Sequence, residues 1–271
     1  MDTSTRLSSL ERWLLILPII GGAIFGLFPL MAPGQFASIT TGYPGNDAFI
    51  YRLAGAATFG YAVALVLGVR QGTWAAVRII VIAVLAFNLA SLYACIFELI
   101  SPSSNREIVL VVYFILAVSM LVVAITAWML YRHRADARPA PDIAHWVVRF
   151  IVVGSVLAFV FGIIPLFYPQ LNRLFGFKVT DIFLYHQAGA ATLGYAIMGI
   201  FQLRSRNWLE IRYPSVMGAV FNGLSFLASL YTLILGESLL LPALVGVASL
   251  VVTILIIVVM RTRGGTSARA E

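Results

Sequence analysis

Eight long apolar runs constrain the fold of this chain more than any other feature of its sequence. An α-helix needs about 20 predominantly apolar residues to cross a bilayer, whereas barrel strands alternate polar and apolar residues over about ten positions. The runs have the length and the unbroken character of helices. The sequence therefore predicts an all-α polytopic membrane protein with eight transmembrane helices, at 13–31, 48–69, 79–100, 108–130, 146–168, 182–203, 214–235 and 238–260.

The composition agrees with this prediction. Charged residues make up 11% of the 271 residues and the mean hydropathy is +0.97, whereas a soluble domain carries about 25% charged residues. The single cysteine, Cys95, lies within an apolar run and predicts no disulfide framework. The first run lacks a small-residue cleavage site, so we expect a retained helix rather than a signal peptide.

The net charge of +7 is divided unequally between the two predicted sides of the membrane. With a cytoplasmic N-terminus, fourteen arginines fall on the cytoplasmic side, and the outer side holds only Arg52, Arg106, Arg173 and Lys178. Basic residues favour the cytoplasmic side, so both termini are predicted to be cytoplasmic. The basic residues then act as topology signals beside the lipid bilayer, which is the expected partner, and no nucleic-acid partner is expected. Seventeen arginines against one lysine are typical of a GC-rich bacterial genome, which favours a multi-pass protein of the bacterial inner cell membrane.

The sixth run repeats the second almost letter for letter. FIYRLAGAATFGYA at 49–62 returns as FLYHQAGAATLGYA at 183–196, with His186 and Gln187 where Arg52 and Leu53 stand. A small-residue pair followed by Pro-Leu at 22–30 returns at 158–166, and Phe-Asn at 87–88 returns at 221–222, 134 residues later. The LASLY of 89–93 matches 227–231 best, at an offset of 138.

These echoes predict an internal duplication of four helices. The expected organisation is a first transmembrane repeat at 1–135, a cytoplasmic linker at 136–142, and a second repeat at 143–271 that ends in a short basic tail. Because four crossings return the chain to its starting side, the two repeats have the same orientation. Parallel repeats of this kind are related by an axis along the membrane normal.

Small residues four positions apart mark the predicted contacts between helices. Lipid gives helices no hydrophobic reason to associate, so close backbone approach through small side chains stabilises their packing. An alternative is that a glycine stripe admits a flat ligand. The residues predicted to pack helices are Gly22, Gly26, Ala56, Gly60, Gly154, Gly162, Ala190 and Gly194.

Ionisable groups within the predicted spans are sparse, and each is a functional candidate. Arg52 lies 18 residues before Arg70, about 27 Å along a helix, which places it at the outer edge of the hydrocarbon. His186 occupies the same place in the second repeat. Glu98 is the only carboxylate in a predicted span and can pair with Arg52. In the structural alternative, Arg52 extends to the headgroups and Glu98 belongs to an ion pair without a function.

Two asparagines lie deeper in the predicted bilayer. Asn88 is ten residues from Arg78, and Asn222 is ten residues from Arg212, so both are about 15 Å inside the hydrocarbon. They can hydrogen-bond across helices or line a shared site between the repeats. Asp181 and Glu237 are expected to stay solvated at the outer ends of helices.

No motif of a known chemistry occurs in the chain. It lacks HExxH, CxxC, GxSxG and a P-loop, no helix carries a histidine pair suited to haem or a metal, and the spans lack the carboxylate chains of an ion pump. The sequence therefore predicts no catalytic residue, no cofactor, no metal and no enzymatic activity. An intramembrane enzyme that uses His186 as its acid–base group is a further alternative.

The preferred hypothesis is an integral membrane protein that binds, or passively transports, a small neutral or lipophilic molecule between two pseudo-symmetric halves. Two related halves create a cavity at their junction. The alternative is a non-catalytic scaffold or accessory subunit that contacts a membrane-protein partner, or a second copy of itself, through its small-residue faces. The predicted binding residues for a small-molecule or lipid ligand are Arg52, Glu98 and His186 at the rim, Asn88 and Asn222 at the floor, and Tyr51 and Tyr185 beside them.

Overall fold

The computed structural model describes residues 5–40, 47–101, 108–136, 140–236 and 240–267, and within these ranges the fold is all-α. No strand occurs in them, although an isolated antiparallel bridge joins Arg6 and Thr73. A 3₁₀ helix, Pro169–Phe175, follows α7. The helices are α1 (Ser9–Leu14), α2 (Ile16–Met31), α3 (Pro33–Thr40), α4 (Ala48–Gln71), α5 (Trp74–Ile100), α6 (Val109–Arg132), α7 (His145–Phe167), α8 (Ile182–Ser205), α9 (Trp208–Ile234) and α10 (Leu240–Ser267).

Seven helical segments in the described ranges are long and apolar enough to cross a membrane, which makes this a multi-pass integral membrane protein. They are α1 with α2, then α4, α5, α6, α7, α9 and α10. The predicted span at 182–203 forms the 24-residue helix α8, which is not among the seven. His186, Gln187 and Gln202 lower its hydropathy, and it is enclosed by α4, α5, α7 and α9. These neighbouring helices cover most of the surface of α8.

The helix contacts fall into matching pairs. Helix α2 packs along α4 as α7 packs along α8, and α5 packs on α6 as α9 packs on α10. Among the described residues, contacts also cross between the halves: α4 and α5 each pack on both α8 and α9. The bounds of α8 and α9 equal those of α4 and α5 shifted by 134 residues.

Two glycines of the recurring tract bring α4 and α8 against the neighbouring backbones. A Cβ on Gly55 would lie 2.5 Å from the Gly26 carbonyl oxygen, and one on Gly189 would lie 2.7 Å from that of Gly162. Neither Gly55 nor Gly189 belongs to the predicted packing set, because the stripe that the sequence predicts runs through Ala56 and Gly60 instead. The close approach of the helices depends on Gly55, one position before Ala56, and on Gly189, one position before Ala190.

The structure places most of the predicted packing residues at helix contacts. A Cβ on any of five glycines would meet another helix at 3.1 Å or less, and both alanines are fully buried. These residues are Gly22, Gly26, Gly60, Gly162 and Gly194, with Ala56 and Ala190. Gly154 differs from the expectation, because a Cβ there meets no atom within 4 Å. It therefore takes no part in close packing.

Two tyrosines exchange hydrogen bonds between α4 and α8. The Tyr61 hydroxyl donates to the Ala191 carbonyl oxygen at 2.7 Å, and the Tyr195 hydroxyl donates to that of Ala57 at 2.8 Å. The two rings contact each other edge to face, with centroids 5.0 Å apart. Gly60 and Gly194 leave room for the opposing hydroxyls. This exchange stabilises the contact at the centre of the bundle.

Removing either hydroxyl is expected to weaken this contact. We expect Tyr61→Phe or Tyr195→Phe to lower the free energy of unfolding by about 1 kcal/mol, the usual net value of one hydrogen bond. Denaturation of the purified protein in mixed micelles measures the change. Tyr113→Phe, on the exposed face of α6, is the matched control and should leave stability unchanged. Equal stability of all three variants would contradict a role for the exchange.

The N-terminal segment and the linker close the same end of the bundle. Leu7 N donates to the Gly72 carbonyl oxygen at 2.9 Å, beside the turn between α4 and α5. Asp142 N donates to the Arg206 carbonyl oxygen at 2.8 Å, beside the turn between α8 and α9. In each half, the segment that precedes the first helix thus hydrogen-bonds to the turn between the second and third long helices.

A histidine held between two carboxylates joins the same end to α6. His133 Nε2 lies 2.7 Å from Glu11 Oε1, its Nδ1 lies 2.8 Å from Asp136 Oδ2, and its ring stacks on Trp74. Burial acts to raise the pKa of the Asp136 carboxyl, but hydrogen bonds with Thr5 and His133 outweigh it and lower that pKa. The cluster ties α1 to the end of α6.

Candidate functional site

A cavity of about 160 Å³ lies between α2, α4, α5 and α6, with α8 contributing one wall. Its lining is mostly aliphatic and aromatic, and no charged side chain is among the lining residues. The cavity belongs to the first half of the chain together with α8. The sequence predicted a cavity at the junction between the halves. The observed cavity lies to one side of that junction. The principal apolar lining residues are Leu17, Phe25, Phe87, Phe114, Ile115, Val118 and Phe183.

Polar groups cross one wall of this cavity as a short hydrogen-bonded chain. Ser119 Oγ donates to Ser91 Oγ at 3.3 Å, and Ser91 Oγ donates to Gln187 Oε1 at 2.8 Å. The Gln187 Nε2 lies 3.6 Å from Cys95 Sγ. The Asn88 amide adds a further group to the lining, with its Nδ2 donating to the Val84 carbonyl oxygen at 2.8 Å. Hydroxyl and amide groups on an apolar wall can orient a ligand that carries its own polar group.

Phenylalanines stand between the cavity and the lateral surface of the bundle. Phe25 of α2 stacks on Phe114 of α6 with centroids 6.2 Å apart, and Phe36 of α3 meets Phe25 edge to face at 6.1 Å. Phe114 is itself exposed. The stacked Phe25 and Phe114 rings therefore separate this part of the cavity from the lateral surface of the bundle.

The structure divides the predicted binding residues into two groups. Asn88 and Tyr51 line the cavity, and Arg52, Glu98, His186, Asn222 and Tyr185 do not. The two asparagines do not bond to each other, because Asn222 Nδ2 donates to the Gly218 carbonyl oxygen of its own helix, as Asn88 does within α5. Asn222 lies in α9, outside the cavity.

The predicted rim residues are separated by aromatic contacts that cross the two halves. The Arg52 Cζ lies 4.6 Å from the centroid of the Tyr231 ring, and His186 meets the Phe97 ring edge to face at 5.0 Å. The two contacts correspond, because Arg52 and His186 are 134 residues apart and so are Phe97 and Tyr231. The ion pairs between described residues do not include one from Arg52 to Glu98. Glu98 is buried at the end of α5, so the predicted ion pair is replaced by an arginine–tyrosine contact.

These contacts also correct the register of the repeat in α5 and α9. Phe97 and Tyr231 take equivalent places at an offset of 134, the same offset that relates Phe87 to Phe221 beside the two central tyrosines. The LASLY match at an offset of 138 is therefore not structurally equivalent. Tyr93 instead packs on Phe167 of α7.

Asp181 is buried rather than solvated, which corrects the sequence-based expectation. It is 1% exposed, and the Tyr51 hydroxyl donates to its Oδ2. The neighbouring Asp47 Oδ2 accepts from Thr180 N at 2.8 Å. Tyr185 is fully buried beside these groups. Glu237 lies outside the described residues.

The polar chain of the cavity is not repeated in the second half. The residues 134 positions after Ser91 and Cys95 are Ser225 and Ser229, and Leu53 stands where Gln187 would be needed to join them. Both serine hydroxyls are buried without a hydrogen-bond partner. Gln187 of α8 joins the serines of the first half, whereas Leu53 of α4 cannot join those of the second half. Only the cavity in the first half therefore has a polar wall.

Sequence reasoning missed several residues of the cavity. Gln187 had a usable signal, because it is a polar residue in an apolar run and replaces a leucine of the matching tract. Ser91 and Ser119 had none, since serines in transmembrane helices commonly bond to their own backbone. Phe25 and Phe114 resemble any lipid-facing aromatic residues in the sequence. Only the packing of α2 beside α6 brings them together.

Comparisons of the chain with protein-family models, with curated proteins and with solved structures found no match.

Proposed function

We propose that this membrane protein binds a small, neutral and largely apolar molecule in the cavity between α2, α4, α5 and α6, and transports it passively. The observation that carries the proposal is a cavity of about 160 Å³ with an apolar lining and a polar wall. An apolar cavity of about 150 Å³ is large enough to hold benzene. The expected ligand is of that order of size, or longer if part of it extends between Phe25 and Phe114.

The lining favours a neutral ligand. A charged group without a partner costs several kcal/mol when it leaves water, and the residues that line the cavity offer no opposite charge. The serines and amides of the polar wall can instead satisfy a hydroxyl, carbonyl or amide group of the ligand. Displacement of the Phe25 and Phe114 rings would let such a ligand enter from the bilayer.

The proposed architecture has eight spans in two parallel four-helix repeats, with both termini cytoplasmic in a cell membrane. The paired contacts of α2 with α4 and of α7 with α8 support the repeats. The N-terminal segment and the linker at one end of the bundle support equal orientations. Helix α8 is then the eighth span, and the positive-inside distribution assigns its C-terminal end to the cytoplasm.

Filling the cavity tests the proposal. Gly21 lines the cavity, and a Cβ there meets no atom within 4 Å, so a leucine at this position can begin to fill the cavity from an open point of its wall. We expect the wild-type protein, purified from its native membrane, to carry a small molecule that mass spectrometry detects. Gly21→Leu is expected to lose most of it. Gly154→Leu is the matched control, because Gly154 is equally open and lies outside the cavity.

Two outcomes would contradict ligand binding at this site. Equal occupancy of the Gly21→Leu and Gly154→Leu proteins would remove the cavity as the binding site. A wild-type protein that carries no small molecule but retains another membrane protein in fixed stoichiometry would favour the alternative of a scaffold or accessory subunit.

A further inference from the structure

Arg52 carries a charge that no described side chain neutralises. The residue is 9% exposed, its Nη1 has no hydrogen-bond partner, and it takes part in none of the ion pairs between described residues. A guanidinium remains protonated in proteins and offers five N–H donors. An arginine in this state requires an anion, because an uncompensated buried charge is strongly unfavourable.

The Tyr231 ring compensates the charge only in part. The Arg52 Cζ lies 4.6 Å from its centroid, which is a cation–π contact. Such a contact is weaker than the interactions that a guanidinium loses when it leaves water. The contact leaves the buried Nη1 of Arg52 without a hydrogen-bond acceptor.

The position of Arg52 is suited to a phosphate at the membrane boundary. It lies in the second turn of α4, and Arg70 lies in the last turn of the same helix, about 27 Å away along the axis. That distance nearly equals the hydrocarbon thickness of about 30 Å. Tyr231 is 50% exposed, so the guanidinium that it contacts lies directly beneath the surface of the bundle.

The matching position of the second half does not require an anion. His186 occupies the matching position against Phe97 and is buried, but an imidazole can be neutral. The exchange of arginine for histidine in the recurring tract therefore distinguishes the two halves. Only the position held by Arg52 has a permanent charge.

We infer that Arg52 binds a phosphate group, with its N–H groups donating to the phosphate oxygens and the Tyr231 ring supporting the guanidinium. Arginine pairs with phosphate oxygens through two parallel hydrogen bonds. This site is separate from the apolar cavity, because Arg52 does not line it. The phosphate belongs to a lipid headgroup or to a soluble phosphate, which share this chemistry.

The test measures thermal stability of the full chain in detergent with three additives: phosphatidylglycerol, diacylglycerol with the same acyl chains, and inorganic phosphate. We expect phosphatidylglycerol to stabilise the wild type more than diacylglycerol does. Arg52→Gln should bind the phosphate about tenfold more weakly, as loss of a charged hydrogen bond implies. Arg52→Lys should retain much of the effect. Arg173→Gln, at an exposed arginine, should retain all of it.

Each arm of this experiment decides one question. Stabilisation by phosphatidylglycerol alone assigns the site to a headgroup, and stabilisation by inorganic phosphate assigns it to a soluble anion. Arg52→His, which copies the residue of the second half, serves if Arg52→Gln does not fold. The inference is overturned if neither phosphate compound exceeds diacylglycerol, or if Arg52→Gln and Arg52→His respond as the wild type does.

Discussion

Glu210→Ala is expected to lower the free energy of unfolding by about 3–5 kcal/mol, the usual result of removing one partner of a buried ion pair. Two oxygens of Glu210 lie 2.9 Å from Nη1 and Nη2 of Arg78. The side chains are 1% and 11% exposed. Because this bidentate pair joins α5 to α9, its loss removes two charged hydrogen bonds from a buried contact between these helices.

A double variant separates the cost of removing one ion from the value of the pair. Arg78→Met with Glu210→Met replaces both ions by apolar groups, and such replacements are often close to neutral. We therefore expect the double variant to be more stable than Glu210→Ala in the same denaturation experiment. Arg212→Ala, at the exposed residue 134 positions after Arg78, should change stability by less than about 0.5 kcal/mol. If Glu210→Ala matched Arg212→Ala, the pair would not hold the helices together.

Gly55→Leu is expected to destabilise the protein by about 3 kcal/mol or more, at the upper end of overpacking effects. Its Cβ would lie 2.5 Å from the Gly26 carbonyl oxygen and 2.8 Å from Leu30 N. Both atoms belong to backbone, so they cannot turn aside as a side chain would. The clash is relieved only if α2 moves away from α4.

The second half provides a replicate and a control for this prediction. Gly189→Leu should destabilise by a similar amount, because its Cβ would lie 2.5 Å from Leu166 N. Gly154→Leu should not, since its Cβ position is open. Thermal denaturation followed by circular dichroism compares the three. Equal melting of Gly55→Leu and Gly154→Leu would show that the close approach of α2 and α4 contributes nothing to stability.

Much of the fold could be predicted because it depends on local properties. The length of an apolar run decides that a helix forms in lipid, where the backbone must satisfy its own hydrogen bonds. The runs at 48–69 and 108–130 accordingly match α4 and α6 within a few residues. The start of α5 was placed later, at residue 79, because Arg78 resembles an interfacial residue until Glu210 is seen to pair with it.

The candidate site was predictable only in part. Asn88 and Tyr51 are polar groups in apolar runs, and they do line the cavity. Their apparent equivalents Asn222 and Tyr185 do not, because equivalence in sequence does not give equal surroundings. A single exchange, Leu53 for Gln187, removes the polar wall from the second half.

The sequence by itself determined that the chain is helical, that it enters a membrane, and that one tract of small residues recurs. These properties follow from hydropathy and spacing, which each segment carries within itself. Tertiary structure alone decided that Arg52 lies on Tyr231 rather than beside Glu98, that Gly55 and not Ala56 sets the approach of α2, and that the cavity lies to one side. Such contacts depend on the rotation and depth of two helices relative to each other, and neither helix contains that information alone.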